Sequence, residues 1–242
     1  MSGVMNIAPK KASAEAHKII SQLWDGFFDN YMAFKDGVMK IEDEPKYKVF
    51  DAPGPLQYRA FVMFFDFIEG GADWVWSQRD NMYMHDLYDM ERYGPPAILE
   101  YLKNLNSPAC YNCTGQTIIM VSGTFWRVHL TTGKKIVSFF YNLSANGANV
   151  QILTQAKNEE SHASAISQFR MENYMPISNL DERRPIHFIL AGEDYLYFEF
   201  PHTESTEFRH NMFLDLNTIP FKKGIEKSHL LRFFNDIIKG TV

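Results

Sequence analysis

The amino-acid sequence predicts an α+β protein in which an antiparallel sheet packs against helices from the N-terminal half. Two observations carry this prediction. Apolar residues in the first third of the chain recur at three- and four-residue spacing, which is the period of an amphipathic helix. Between Thr117 and Leu143, two runs rich in β-branched and aromatic residues flank the polar, glycine-containing break Thr131–Lys135, an arrangement typical of a long antiparallel hairpin.

Length and composition limit the classes of protein that the chain can belong to. Its 242 residues suit one large domain or two small ones and are enough to bury an extensive core. A formal net charge of −5 argues against broad binding to nucleic-acid phosphates, which requires clustered lysine and arginine. No run approaches about 18 apolar residues and the first residues hold no apolar signal segment, so we expect an intracellular protein, cytoplasmic or nuclear, with no membrane partner.

The helices are predicted from apolar periodicity. Residues 1–12 are expected to form a flexible tail, and the helix that follows, from about 14 to 34, carries one apolar stripe: Ile19, Ile20, Leu23, Trp24, Phe27, Phe28, Tyr31 and Met32. Residues 59–69 are apolar nearly all round, which predicts a helix buried on most sides and ended by Gly70 and Gly71. Further helices are expected at 73–84, 94–103, 157–171 and 227–238.

The strands other than the hairpin are predicted from short β-branched and aromatic runs. They are expected at 47–50, 149–155, 187–192, 195–200 and 211–216, with a loop from Pro176 to Pro185. The strand at 149–155 is expected to adjoin the hairpin after a turn at residues 145–147.

The two cysteines, Cys110 and Cys113, form a single Cys-x-x-Cys pair. A structural zinc site needs about four ligands, and a thioredoxin-type pair lies between a strand and a helix of a βαβ unit. Neither context surrounds this pair, so we interpret the residues as ordinary thiols. We predict neither a metal nor a cofactor.

The order of several tracts resembles the nuclear-transport-factor-2-like family over residues 57–155. The helix at Phe61–Ile68, the tract Tyr83–Tyr88 and the helix at Ala97–Leu105 precede strand patterns at Ile119–Phe125, Ile136–Leu143 and Val150–Thr154. The resemblance implies a curved, cone-like sheet with 57–156 as the core. Residues 13–56 would then be an N-terminal helix and connector, and residues 157–242 an α+β extension packed on the core or a small second unit.

The resemblance implies two modes of use. Relatives hold small ligands or carry out proton transfer in a conical cavity, or they serve as dimeric protein-binding modules in nuclear transport, messenger RNA export and ribonucleoprotein granule assembly. This chain departs from the family after Leu153, where the strand continues as Thr-Gln-Ala-Lys without the family's Asn-Asp pair and aromatic residue. It is therefore similar to a decorated member and not to the transport carrier itself.

An enzyme of the isomerase or dehydratase kind needs a carboxylate or histidine inside an apolar cavity, where desolvation tunes its pKa. The dense polar and aromatic group that fits this requirement is His85 and Asp86 with Tyr83. The alternative interpretation of the same group is a surface turn whose aspartates bond local backbone amides.

The hairpin also suggests a binding surface. Its second strand has Ile136, Ser138 and Phe140 on one face, while the other face is wholly apolar. A strand with one face exposed to solvent shows a cleaner alternation of apolar and polar residues than this one. We therefore expect the face of these three residues to be covered, by a partner copy or by residues 160–242. Aromatic residues at Trp74, Trp76 and Trp126 are further candidate anchors for a partner, or else core residues.

These observations lead to one principal functional expectation and two alternatives. We expect a non-catalytic interaction or scaffold module that dimerises or binds a protein partner, in RNA transport or ribonucleoprotein assembly if the resemblance extends to function. The first alternative is a small-molecule-binding protein or isomerase-like enzyme that uses His85, Asp86 and Tyr83. The second is a viral or cellular structural protein.

Overall fold

In the computed structural model of this chain, helices pack on one face of a sheet. The structure describes residues 14–37, 55–79, 82–86, 115–122, 143–155, 174–177, 186–200 and 208–239. The predicted tail, the strand at 47–50, the helices at 94–103 and 157–171, and the cysteine pair lie outside these residues.

Four helices are described: α1 (Ala14–Lys35), α2 (Pro55–Asp66), α3 (Gly71–Ser77) and α4 (Lys227–Lys239). The predictions for α1 and α4 are confirmed, because each has a local apolar period that is strong enough to define it. The helix predicted at 59–69 is present but shifted: α2 begins at Pro55, since proline suits the first turn of a helix, and ends at Asp66. Gly70 and Gly71 do not end it but begin α3. The helix predicted at 73–84 ends earlier, at Ser77, and the chain enters a strand at Met82. Pairing of this strand with a distant one overrides the local pattern there.

Seven strands form one sheet: β1 (Met82–Asp86), β2 (Thr117–Ser122), β3 (Asn149–Gln155), β4 (Tyr174–Ile177), β5 (His187–Ala191), β6 (Tyr195–Glu199) and β7 (Phe208–Asp215). Their order across the sheet is β1-β7-β6-β5-β2-β3-β4. Four pairings are antiparallel, while β2–β3 and β3–β4 are parallel. The predicted α+β class is confirmed, with a sheet that is mixed in direction.

The hairpin prediction is corrected where the structure describes it. Leu143, expected in the second strand, is helical, and β3 pairs directly with β2 in the parallel direction. Parallel neighbours need a crossover connection of about a dozen residues or more, and residues 123–148 are long enough for one. Since β5 occupies the other edge of β2, the described part of this strand has a neighbour on both sides. Residues 123–142 lie outside the described part.

The loop predicted from Pro176 is also corrected at its start, because Pro176 lies within β4. This strand is the last in the sheet order, with β3 as its neighbour in the sheet. Proline is compatible with an edge strand, where its missing N–H leaves no ladder bond unmade. Among the strands that the structure describes, β4 is such an edge strand, and it therefore accommodates a proline that by sequence indicates a loop.

One face of the sheet and the helices share an aromatic core. Its largest fully buried side chains come from α2, β5, β6, α4 and the residue after β6: Phe61, Phe64, Phe65, Phe188, Phe198, Phe200 and Phe234. The end of α2 is tied to the loop before α4, since Glu69 N–H donates to the Pro220 carbonyl at 2.7 Å and Lys222 N–H donates to the Phe67 carbonyl at 3.0 Å. The helices and the C-terminal strands thus share one core.

The second face of the sheet is buried as well. Side chains of β2, β3 and β5 on this face are almost fully removed from solvent: Ile118, Met120, Val150, Ile152, Ile189 and Ala191. Strands buried on both faces are typical of a sheet that lies between two layers. The same expectation for Ile136, Ser138 and Phe140 concerns residues outside the described part and stays a prediction.

Candidate functional site

An open cleft of about 450 Å³ lies where the start of β2 and the end of β5 meet α4. Three of its lining side chains are apolar, and these form what we call its floor: Ile119, Leu190 and Leu231. The remaining lining residues, which we call its rim, carry mainly backbone, amide, hydroxyl and carboxylate groups. The lining residues are Gly115, Gln116, Thr117, Ile119, Leu190, Gly192, Glu193, Asp194, Leu231 and Asn235. This volume falls within the range of sites that hold small ligands or short segments of other molecules.

Helical spacing positions the α4 side of the cleft. Lys227, Leu231 and Asn235 follow one another at four-residue steps and therefore share one face of α4. Leu230 and Phe234 lie on the neighbouring face and are buried in the core. The packing of that core face holds the other face of the helix at the edge of the sheet, so Leu231 remains only partly buried.

Two glycines with positive φ shape the β-sheet side of the cleft. Gly115 (φ 74°) leads into β2, and Gly192 (φ 57°) follows β5. Gly192 N–H donates to the Thr117 carbonyl at 2.8 Å, which joins the two strand ends. L-residues with side chains adopt this conformation at a cost, so glycine permits the tight backbone path on both sides.

The two carboxylates on the rim have different surroundings. Asp194 Oδ1 lies 3.4 Å from Lys227 Nζ and accepts a hydrogen bond from Asn217 Nδ2 at 3.1 Å. Lys227 Nζ also donates to Asn217 Oδ1 at 2.9 Å, which closes a three-residue network. Glu193 is exposed, and within the described ranges no ion pair involves its carboxylate. The charge of Asp194 is therefore compensated, whereas that of Glu193 faces solvent.

A second polar group lies at the other end of β5. His187 Nδ1 is 3.5 Å from Glu199 Oε2 across the β5–β6 pair, and both side chains are less than a third exposed. Glu199 is in register with the fully buried Asn211 of β7. Asn211 is in turn in register with Tyr83 of β1, so a polar row crosses four neighbouring strands.

The pairing register places one of the three predicted acid–base residues, Tyr83, in this row, beside Asn211. The other two lie further along β1, where His85 is paired with Arg209 and Asp86 with Phe208. His187 and Glu199 were missed by sequence reasoning, because only the pairing register brings these two residues together and no spacing along the chain indicates it.

The predicted binding residues have different locations. Trp74 and Trp76 on α3 are half-buried and pack against the aromatic core. Trp76 also lies beneath the guanidinium of Arg79, whose carbon is 5.6 Å from the ring centroid. Trp126, Ile136, Ser138 and Phe140 lie outside the described residues. The cleft itself was not predicted, since its lining comes from three distant segments of ordinary composition.

In the described ranges, no three histidine, cysteine or acidic side chains stand close enough together to hold a metal ion. None of the helices in these ranges has the length and apolar character needed to cross a membrane.

Comparisons with known proteins find likeness only among solved structures. No protein-family model matches the chain, and no curated protein matches it. Nuc from Salmonella typhimurium, a phospholipase D family member, is 14% identical with a TM-score of 0.39, over 64% of this chain and 91% of Nuc.

TrmBL2, an archaeal chromatin protein, is 10% identical with a TM-score of 0.36 over 66% of this chain, which spans about half (51%) of that protein. Similarities this low carry no argument about function. The resemblance to the nuclear-transport-factor-2-like family stays a prediction.

Proposed function

We propose that this protein is a non-catalytic protein-interaction module and that the cleft between β2, β5 and α4 receives a segment of a protein partner. The observation that supports this most directly is a set of three apolar side chains within a mainly polar lining that is open to solvent. Interfaces commonly combine a buried apolar centre with a polar periphery in this way. The predicted resemblance favours RNA transport or ribonucleoprotein assembly as the setting.

The form of the cleft favours a protein segment over a small molecule. Small-ligand sites usually enclose most of the ligand surface, about 70–90% of it. This cleft is open to solvent, and its floor combines Ile119 and Leu190, which are register partners on β2 and β5, with Leu231 of α4. An extended segment can lie across such a floor while its remaining surface stays in solvent or contacts the rest of the partner.

Site-specific photo-crosslinking tests this proposal. A photoreactive amino acid replaces Asn235 at the cleft or, as a matched control on another helix, the exposed Asp25 of α1. In cells of the source organism we expect a discrete adduct from position 235 that is absent from position 25. The adduct should disappear when Leu231→Ser is added, because the change removes part of the apolar floor.

The outcomes of this experiment are distinct. An adduct with the mass of two copies of this chain identifies self-association, which light scattering of the purified protein would check. Equal adducts from positions 235 and 25, or none from position 235, would overturn the proposal. Circular dichroism of each variant separates loss of binding from loss of folding.

A second candidate function is small-molecule binding or proton-transfer chemistry at the polar row. The observation that favours it is the His187–Glu199 pair, since a carboxylate beside an imidazole orients the ring for acid–base work. A thermal-shift screen of small metabolites against the wild-type protein and His187→Gln tests this candidate. Ligands that stabilise the wild-type protein and the variant equally would argue against a role for this row.

A further inference from the structure

We infer that the partner segment presents a lysine or arginine side chain beside an apolar side chain, and that Glu193 receives the cationic group. This inference rests on the proposed function, because it specifies the chemistry of the segment that enters the cleft. The segment belongs to a different protein and not to a second copy of this chain.

The rim of the cleft is acidic. Two of the lining residues are acidic, Glu193 and Asp194, and none of the lining residues is basic. Lys227 contacts Asp194 and offsets one of these charges. The exposed carboxylate of Glu193 remains, so the rim attracts a cation and repels a carboxylate or phosphate.

The floor of the cleft offers apolar surface to a partner. Leu190 is buried, whereas Ile119 and Leu231 are only partly buried although they pack against the core. Covering their remaining apolar surface is favourable in proportion to the area removed from water. The partner therefore gains most if an apolar side chain lies on this floor while its cationic neighbour reaches the rim.

The β5–β6 turn and α4 both line the cleft. Glu193 lies in the turn between β5 and β6, directly after Gly192, and Leu231 lies on α4 across the cleft. Successive side chains of an extended segment point in opposite directions. A segment that enters between the turn and the helix can thus direct one side chain to the floor and the next toward the rim.

Defined peptide pools test the inference. Each pool has a central arginine, glutamine or glutamate flanked by random leucine, isoleucine and valine, and binding is followed by amide chemical shifts of labelled full-length protein. We expect the arginine pool to shift the resonances of Gly192, Glu193 and Asn235, and to bind at least about fivefold more tightly than the glutamate pool. High salt should reduce this preference because the contact is exposed.

Three variants sharpen the test. Glu193→Gln keeps the shape of the side chain and should weaken arginine-pool binding about fivefold, whereas Asp25→Asn on α1 should leave binding unchanged. Lys227→Met exposes the charge of Asp194 and should strengthen binding of the same pool. Two variants with opposite effects cannot both result from partial unfolding.

The possible results separate this inference from the function it rests on. Equal binding of the arginine and glutamate pools, unchanged binding by Glu193→Gln, or no binding of any pool would overturn the inference. If the crosslink at position 235 still forms in that case, the interaction function stands and only the assigned chemistry is wrong. If the crosslink also fails, both are wrong. A crosslink between two copies of this chain would overturn the assignment to a different protein.

Discussion

Trp24 of α1 and Trp76 of α3 stack with their ring centroids 5.0 Å apart and their planes 19° from parallel. Trp24 is 5% exposed and also meets the edge of Phe200, which follows β6. Trp76 is half-buried and contacts both Trp24 and the guanidinium of Arg79. A tryptophan that the sequence offers as a partner anchor thus joins α3 to α1, and Trp24 extends the contact to Phe200.

Replacing either tryptophan of this stacked pair by alanine should destabilise the fold, and the loss should be larger for Trp24 than for Trp76. We expect Trp24→Ala to lower the free energy of unfolding by about 3–5 kcal/mol, because it leaves a cavity in the core. Trp76→Ala should cost about 1–3 kcal/mol, since that ring is partly exposed. Urea unfolding of both single variants and the double variant should show a coupling of about 0.5–1.5 kcal/mol between the rings.

The control for this cycle is Gln22→Ala, an exposed position on the same helix as Trp24. Its change in unfolding free energy should stay within about 0.5 kcal/mol. Strict additivity of Trp24→Ala and Trp76→Ala would contradict an energetic contribution from the stacking.

Burial of Tyr31 should make the protein sensitive to alkaline pH. Burial, followed by the carboxylates of Asp66 and Asp73, raises the pKa of Tyr31 from 10.0 to about 12. A raised pKa in the folded state means that this contribution to stability is complete below pH 10 and is lost as the pH rises toward about 12. Tyr31→Phe should therefore lose less stability than the wild-type protein over this interval.

Unfolding free energies measured at several alkaline pH values, together with tyrosinate absorbance, check this expectation. Asp73→Asn removes one carboxylate that disfavours the tyrosinate and should lower the pKa of Tyr31. Burial also raises the pKa of Tyr58, so the absorbance titration should show a second tyrosine that ionises at a higher pH than an exposed tyrosine does. The interpretation is wrong if Tyr31→Phe and the wild-type protein respond identically to alkaline pH.

The Asp194–Lys227 contact should contribute little to stability even though it joins α4 to the β5–β6 turn. The two side chains are 43% and 29% exposed, and exposed ion pairs contribute about 0.2–1 kcal/mol. A double-mutant cycle of Asp194→Asn and Lys227→Met should give a coupling of this size at low salt and a smaller one at high salt. A coupling above about 3 kcal/mol would mean that the network organises the turn.

The elements that the sequence predicts well are those whose apolar pattern is local. Helices α1 and α4 carry a single apolar stripe, and β5 and β6 are short runs interrupted by Gly192-Glu193-Asp194, so their limits follow from a few adjacent residues. The direction of pairing has no such local signature. The runs at 117–122 and 149–155 suit parallel and antiparallel neighbours equally, and distant packing decides that β2 and β3 are parallel.

The cleft and the polar row depend still more on distant contacts. Thr117, Gly192 and Leu231 become neighbours only when β2, β5 and α4 assemble, and each residue type is common in any protein. His187 and Glu199 lie twelve positions apart and meet through the register of one strand pair. Sequence reasoning selected adjacent polar residues such as His85 and Asp86 because adjacency is the only proximity that a single sequence displays.

Replacing Gly26 and Gly115 by alanine should change the stability of the fold in opposite directions, although both positions have free space for a methyl group. An added Cβ would meet no atom within 4 Å at Gly26 of α1 or at Gly115 before β2, so neither substitution creates a clash. Gly26 lies inside a helix, where alanine is favoured over glycine by about 0.5–1 kcal/mol, and Gly26→Ala should stabilise the fold by that amount. Gly115 has a φ of 74°, so Gly115→Ala should destabilise it by about 1–2 kcal/mol. Paired urea titrations measure both changes, and an equal sign for the two would show that backbone conformation does not decide the effect.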